Sequence, residues 1–112
     1  MVSDSDLAQV AECRSIAASW APVLRALANE ERLLIALWLA DTSCSVRELE
    51  QVTGMSQSLV SYHLRELREA GLVDSTAAGR SNRYRLANVD LDQLAGLIGR
   101  LRVEAPAAVS LR

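Results

Sequence analysis

The amino-acid sequence predicts a mainly α-helical domain of about five helices that carries one small β-hairpin. Apolar residues recur at helical spacing along most of the chain, and two short runs after Gly71 alternate between apolar and polar residues as strands do. The chain has 112 residues, of which 50% are hydrophobic, so it is long enough for one domain with its own core. Residues 1–104 are predicted to form this domain, and residues 105–112 a disordered tail.

The N-terminal third predicts two helical regions. A helical stripe that begins at Leu7 reaches about Ser19, and Pro22 then stands at the first turn of a short helix, or of a continuation, that ends at Leu27. Asn29 is a good N-cap for the next helix. The run RLLIALWLA that follows is apolar on nearly all sides, so this helix is predicted to be the most buried.

A pair of helices separated by a glycine turn is predicted next. Ser45 and Glu48 have the capping-box spacing, which predicts a short helix from Val46 to about Thr53. Gly54 supplies a left-handed residue that turns the chain. Ser56 then caps another helix, and Gly71 ends it.

The hairpin and the helix before it carry most of the positive charge. Leu72–Thr76 and Asn82–Leu86 are predicted strands, with residues 77–81 as the loop. The net charge of the chain is −2, but residues 55–89 contain five arginines against three acidic residues. All twelve basic residues are arginine, a side chain that forms paired hydrogen bonds with phosphate or guanine.

The last helix presents an apolar seam. Its apolar residues are spaced by three, four and three positions, at Leu91, Leu94, Ile98 and Leu101. This pattern is typical of a helix that packs along a partner helix. Pro106 is predicted to end the helix.

One face of the helix at residues 57–70 suits a DNA groove. At 100° per residue, the apolar arc contains Leu59, Val60, His63, Leu64, Leu67 and Ala70. The opposite face contains Gln57, Ser58, Ser61, Tyr62, Arg65, Arg68 and Glu69. Glutamine can pair with adenine, serine can donate or accept, and arginine reads guanine or phosphate. An ordinary solvated face is the alternative for this helix taken alone, but the glycine turn before it and the basic hairpin after it favour DNA.

The segment SQSLVSYHLRELREAGLV resembles the ArsR/SmtB family of winged helix-turn-helix repressors. The resemblance covers residues 24–101 and includes ALANEERLLIAL before this segment and GRSNRYRL in the hairpin. It implies a winged helix-turn-helix fold, in which the hairpin is the wing, and a homodimer that represses by occupying a double-stranded DNA operator. Many members of this family release the operator when a metal or metalloid ion binds.

The resemblance also implies roles for individual residues. Contacts in the major groove would come from Gln57, Ser58, Ser61, Tyr62 and Arg65. Arg80 and Arg83 would lie at the tip of the wing, on phosphate or in the minor groove. The first and last helices would form the dimer interface, with Leu7, Val10, Leu91, Leu94, Ile98 and Leu101.

The usual cysteine site of metal-sensing relatives is absent or altered. Their Cys-x-Cys pair would fall at Ser45 and Arg47, and Cys44 stands one residue before it. Cys13 lies in an arm that could reach the other subunit, but Cys13 and Cys44 supply only two ligands, fewer than a closed zinc site needs. The alternative is that both cysteines are small residues with apolar behaviour.

A second family site would lie on the last helix. Asp90 and Asp92 match its acidic beginning, Glu104 is the only later acidic residue, and no histidine follows. Oxygen ligands without imidazole bind transition metals weakly, and Asp90 or Asp92 could instead begin the helix. His63 is predicted to be a core residue with a local hydrogen bond. The expectation is either no cofactor or a transition-metal or metalloid ion as effector, with a protein co-regulator as the other option.

Other functional classes fit the sequence less well. The chain has no glycine-rich phosphate loop and no credible nucleophile beside its single histidine, so it is predicted not to be an enzyme. No apolar run approaches the roughly 20 residues of a membrane span, and the N-terminus is acidic where a secretory signal is basic, so a cytoplasmic protein is expected. A winged-helix module that binds another protein is the remaining alternative.

Overall fold

Five helices and one hairpin make up the computed structural model, which describes residues 1–87 and 90–101. In chain order the elements are α1 (Asp4–Leu27), α2 (Glu30–Leu39), α3 (Val46–Thr53), α4 (Gln57–Glu69), β1 (Val73–Ala78), β2 (Ser81–Leu86) and α5 (Leu91–Gly99). The predicted mainly α fold with a two-stranded wing is confirmed. The predicted helix end at Pro106 and the predicted tail lie outside the described residues. No helix in the described part of the chain is long and apolar enough to cross a membrane.

Helix α1 is one continuous element, which settles the alternative that the sequence left open at Pro22. Ser3 begins the helix with a capping box, because its hydroxyl accepts a hydrogen bond from the Asp6 amide at 3.1 Å and the Asp6 carboxylate accepts one from the Ser3 amide at 3.0 Å. Pro22 lies inside the helix and removes one backbone hydrogen bond. The helix continues past it because Val23 and Ala26 are buried against the core.

Helix α2 is buried on one side only. Asn29 caps it as predicted, and its side-chain oxygen accepts hydrogen bonds from two backbone amides at 3.1 and 3.0 Å. Ile35 and Leu39 face the core, but the opposite side exposes Leu33, Leu34, Leu37 and Trp38. The prediction that α2 is the most buried helix is therefore wrong, because one side of this helix is exposed to solvent. A run that is apolar all round does not reveal which side its neighbours cover.

The core lies between α1, α2, α3, α4 and the base of the hairpin. Its largest fully buried side chains are Ile35, Leu49, Val60, Leu64, Leu67 and Val73. Each side chain of this kind contributes about 1.5–3 kcal/mol when fully buried. Three of the six lie on α4, so packing determines which side of α4 turns toward solvent.

The loop of the hairpin is shorter than predicted. β1 pairs antiparallel with β2 from Val73↔Leu86 at the base to Ala78↔Ser81 at the tip. The predicted five-residue loop is therefore wrong, and the turn consists of Gly79 and Arg80 alone. Gly79 has a φ of +66°, which allows it to stand first in a two-residue turn. The small residues beside the turn gave no strand pattern in the sequence.

Helix α5 lies beside α1. Asp90 caps α5, and its carboxylate accepts a hydrogen bond from the Gln93 amide at 2.9 Å. Leu94 is buried in its own chain, and it lines an apolar cleft of about 430 Å³ together with the half-buried Trp20 and the exposed Leu24 of α1. The remaining predicted interface residues are exposed: Leu7, Val10, Leu91, Ile98 and Leu101.

Candidate nucleic-acid interface

A three-residue turn joins α3 to α4. Gly54 has a φ of +75°, in the left-handed region that favours glycine, and its amide donates to the Glu50 carbonyl at 2.9 Å. Met55 packs against the core, and the Ser56 hydroxyl accepts a hydrogen bond from the Leu59 amide at 3.2 Å. Two helices joined by a short turn that contains glycine form a helix-turn-helix.

The core-facing side of α4 agrees with the predicted arc except at its edge. Val60, His63, Leu64 and Leu67 are buried. Leu59 was predicted to face the core and is 37% exposed, so this prediction is wrong. At 100° per residue, Leu59 lies about 90° from the middle of the buried arc, where the surface of the core already ends.

The solvent side of α4 presents a continuous polar row. Its members are Gln57, Ser58, Ser61, Tyr62 and Arg65, all of them exposed. The Arg65 guanidinium lies 5.8 Å from the centroid of the Tyr62 ring, within the range of a cation–π contact. The first turns of α4 therefore offer amide, hydroxyl and guanidinium groups together, directly after the helix-turn-helix bend.

A polar cluster ties α4 to α2 underneath this row. His63 is 3% exposed, and its Nε2 lies 2.9 Å from an oxygen of Glu31. Its Nδ1 lies 3.4 Å from Nη1 of Arg32, whose Nε donates to the Ala26 carbonyl at 2.7 Å. A neutral ring with its proton on Nε2 satisfies both contacts, because arginine can only donate. The predicted core placement of His63 is confirmed, with partners on another helix rather than nearby in the chain.

The structure separates the two wing arginines that were predicted to lie together at the tip. Arg80 is exposed in the turn. Arg83 lies within β2 opposite Thr76, and its guanidinium binds Glu48 of α3 and Ser43. The predicted tip position of Arg83 is therefore wrong, because Arg83 pairs with Thr76, two pairs below the Ala78↔Ser81 pair next to the turn.

The contact between Arg83 and α3 could not be found from the sequence. Nη1 of Arg83 lies 2.8 Å from Glu48, and Nε lies 3.1 Å from the Ser43 hydroxyl, across 35 and 40 residues of chain. The hydrogen bond from Arg83 lowers the pKa of the Glu48 carboxyl, and Glu48 raises the pKa of Arg83. From the sequence, Glu48 was predicted only to belong to the capping box at the start of α3.

Comparison with known proteins agrees with this geometry. Residues 29–75 match the pattern that defines the arsR family of bacterial regulatory proteins. The chain is 37% identical over 83 residues to the transcriptional activator HlyU of Vibrio cholerae, which covers 74% of this chain and 77% of HlyU. The chain belongs to the arsR family. As a member of that family it is a DNA-binding transcriptional regulator and not an enzyme.

Further regulatory proteins resemble the chain in sequence and in structure. It is 44% identical over 78 residues to NmtR of Mycobacterium tuberculosis, which covers 70% of this chain and 65% of NmtR. The structure of reduced HlyU from Vibrio cholerae aligns with a TM-score of 0.69 at 34% identity, over 83% of this chain and 98% of that one. The homodimeric winged helix-turn-helix DNA-binding domain of Mb0332 from Mycobacterium bovis aligns at 0.66 and 32% identity, over 79% and 82%.

Within the described residues of one protomer, the candidate metal ligands of this arsR-family chain do not lie together. Cys13 is exposed on α1 and Cys44 is buried. Asp90 is engaged as the cap of α5, Asp92 is exposed in its first turn, and Glu104 lies outside the described residues. In the part of the chain that the structure describes, no group of three or more histidine, cysteine or acidic side chains could hold a metal ion. An ion site stays a prediction that requires a second protomer or further residues.

Proposed function

We propose that the chain binds a double-stranded DNA operator as a homodimer and represses the genes beside it, in the cytoplasm where its DNA lies. Helix α4 would enter the major groove, and the tip of the wing would lie on the adjacent backbone. One observation carries this proposal: the exposed row on α4 follows the helix-turn-helix bend directly, while the other side of α4 is held in the core. Repression is the proposed direction because an occupied operator blocks access to the promoter.

The proposed base contacts follow from the chemistry of the row. Gln57 can donate and accept in a pair with adenine, and Ser58 and Ser61 can do either singly. Tyr62 and Arg65 form the next part of the row, where a guanidinium can reach guanine or phosphate. Arg80 at the tip of the wing is the proposed backbone contact, which adds affinity without reading sequence.

The test of base reading is a double substitution, Gln57→Ala with Ser58→Ala. Fluorescence anisotropy at one salt concentration would compare a duplex selected from random sequence with a scrambled duplex of the same composition. A good base contact provides about 1–3 kcal/mol of discrimination, so the affinity ratio should fall by about 5-fold to 150-fold.

The matched control changes the same two residue types on α1, where Ser5 and Gln9 are exposed. Ser5→Ala with Gln9→Ala should leave the affinity ratio unchanged, even if dimer strength changes. If the Gln57 and Ser58 variant keeps the full ratio, α4 does not read bases through these residues.

A homodimer is proposed because α1 and α5 leave apolar side chains uncovered near one another. Ile98 of α5 lines the cleft between the two helices and is exposed, and Leu91 is exposed at the start of the same helix. The homodimeric state of the Mb0332 domain supports the same arrangement. Leu91→Glu with Ile98→Glu should sediment as a monomer, whereas Val52→Glu, at an equally exposed apolar residue of α3, should sediment as wild type.

Two alternatives have distinct outcomes in the same binding assay. Binding to DNA should weaken steeply with salt because counterions are released. A wild-type chain with no DNA affinity at low salt would support a winged-helix module that binds protein, which the acidic residues 1–54 favour. A reporter gene downstream of the operator distinguishes repression from the activation that the name of HlyU records.

The proposed release signal is either a metal or metalloid ion or a protein co-regulator. Titration calorimetry of the full chain with nickel, zinc, cobalt and arsenite addresses the first option. Stoichiometric heat from any one of them supports an ion sensor. No heat from all four favours release by a protein partner.

A further inference from the structure

Arg83 directs its hydrogen-bond donors toward the protein. Nη1 and Nη2 lie 2.8 and 3.4 Å from the two carboxylate oxygens of Glu48. Nε donates to the Ser43 hydroxyl at 3.1 Å, and Nη2 also donates to the Ser43 carbonyl. This two-oxygen contact with a carboxylate is the geometry that a planar guanidinium favours. A contact with DNA phosphate would require Arg83 to leave an anion that already faces it.

The neighbouring backbone is attached to the same loop. The Cys44 amide donates to the Tyr84 carbonyl at 2.9 Å, and the Tyr84 amide donates to the Cys44 carbonyl at 2.7 Å. Cys44 is buried, so this pair of hydrogen bonds fixes one point of β2 against the core. The base of the hairpin also packs on the core through Val73 and Leu86. Arg83 adds an attachment to α3 that lies closer to the tip than these contacts.

The ion pair of Arg83 and Glu48 affects the position of the wing more than it affects the free energy of unfolding. The Arg83 and Glu48 side chains are 37% and 46% exposed, and exposed ion pairs add little to the free energy of unfolding. Arg80 lies three residues beyond Arg83, which is about 10 Å along a strand. A rotation of about 10° at the pair would therefore move the tip by about 2 Å, enough to separate a hydrogen-bonded phosphate.

We propose that Arg83 is a positioning residue, which Glu48 and Ser43 hold so that the wing presents Arg80 to the DNA backbone. The inference rests on the proposed DNA-binding function and assigns the phosphate contact at the tip of the wing to Arg80 rather than to Arg83. It also gives Glu48, an acidic residue next to the proposed interface, a role that increases DNA affinity.

The direction in which Glu48→Ala changes DNA affinity tests this inference. Glu48→Ala removes a negative charge and frees Arg83, so binding should tighten if Arg83 itself contacts phosphate. Positioning predicts the opposite. Glu48→Ala and Arg83→Ala should each weaken binding to a random duplex by about 5-fold to 10-fold at about 0.1 M salt, the size expected for one lost phosphate contact. Glu50→Ala on the same helix removes an equal charge and should not weaken binding.

Combination with Arg80→Ala gives an independent measure. If the pair acts through Arg80, then Glu48→Ala and Arg83→Ala should cause no further loss in a chain that already carries Arg80→Ala. A further loss of 5-fold or more from Arg83→Ala in that background would show direct contact and overturn the inference. Unchanged binding in Glu48→Ala would overturn it too.

Amide exchange separates the failure of this inference from the failure of DNA binding. The Tyr84 amide should exchange faster in free Glu48→Ala and Arg83→Ala than in wild type, while the Leu67 amide in α4 stays protected. Unchanged exchange at Tyr84 would show that the pair does not hold the wing, whatever the DNA result. Absence of wild-type DNA binding with faster exchange would instead remove the proposed function and leave the attachment of the wing in place.

Discussion

Replacement of His63 by alanine should destabilise the chain by about 2–3 kcal/mol. The ring is 3% exposed and lies where α4 meets the start of α2. Its loss leaves a cavity of about 50 Å³, which costs about 1 kcal/mol at about 24 cal/mol per Å³. The lost hydrogen bond to Glu31 adds about 1–1.5 kcal/mol, because that carboxylate is 47% exposed and water can replace the ring. These terms add because the ring provides both volume and a donor.

Urea denaturation followed by circular dichroism measures this change at one protein concentration, since a dimer would make stability depend on concentration. The midpoint of thermal unfolding should fall by about 8–12 °C, at about 4 °C per kcal/mol for a chain of this length. His63→Leu retains most of the volume and should lose only about half as much. Glu31→Gln retains the ring and a polar partner and should lose less than about 1 kcal/mol.

A free energy of unfolding of His63→Ala within about 0.5 kcal/mol of the wild-type value would refute this prediction. That result would mean that the contacts of the His63 ring in the folded chain are no more favourable than its contacts with water in the unfolded chain. If His63→Leu destabilised the chain as much as His63→Ala, the hydrogen bond rather than the volume would carry the effect. The packing of α4 against α2 would then depend on a polar contact that few other positions in this core could replace.

Three further outcomes concern the wing, the helix-turn-helix bend and α5. Since Arg83 lowers the pKa of Glu48, their contribution to stability is present above the ordinary carboxyl value of 4.5 and is lost as pH falls through the lowered pKa. Chemical shifts of Tyr84 should therefore change only in acid below that value. Gly54→Ala should cost about 1–2 kcal/mol in denaturation, because φ is +75° and no atom lies within 4 Å of an added Cβ. Gly96→Ala within α5 should instead stabilise by about 0.5–1 kcal/mol.

The elements that carry the candidate interface could be predicted because their signals are local. Ser45 and Ser56 begin α3 and α4 with hydroxyls that accept amide hydrogen bonds, and Gly54 adopts the left-handed conformation between them. A helix period of 100° per residue then separated the buried side of α4 from the polar row. The prediction for Leu59 was wrong because this residue lies at the edge of the arc. At that position, burial depends on how far the core extends and not only on the helical angle.

Contacts between distant residues could not be predicted in this way. The exposed side of α2 depends on where α1 and α4 lie, because the run is apolar on all sides. The length of the hairpin loop depends on the turn that forms, because alanines such as Ala77 and Ala78 are compatible with a strand or with a loop. In the structure both alanines pair with β2. The partners of His63 lie on another helix, 31 and 32 residues away in sequence.

The sequence by itself determined the order of the helices, the bend between α3 and α4, and the polar row that follows it, because capping, glycine conformation and helical period act within a few residues. Only the tertiary structure decided the role of Arg83. A guanidinium in the wing has the same sequence signature whether it faces solvent or Glu48, and the approach of β2 to α3 depends on the packing of the whole core. That packing places Arg83 against α3 and leaves Arg80 exposed at the tip.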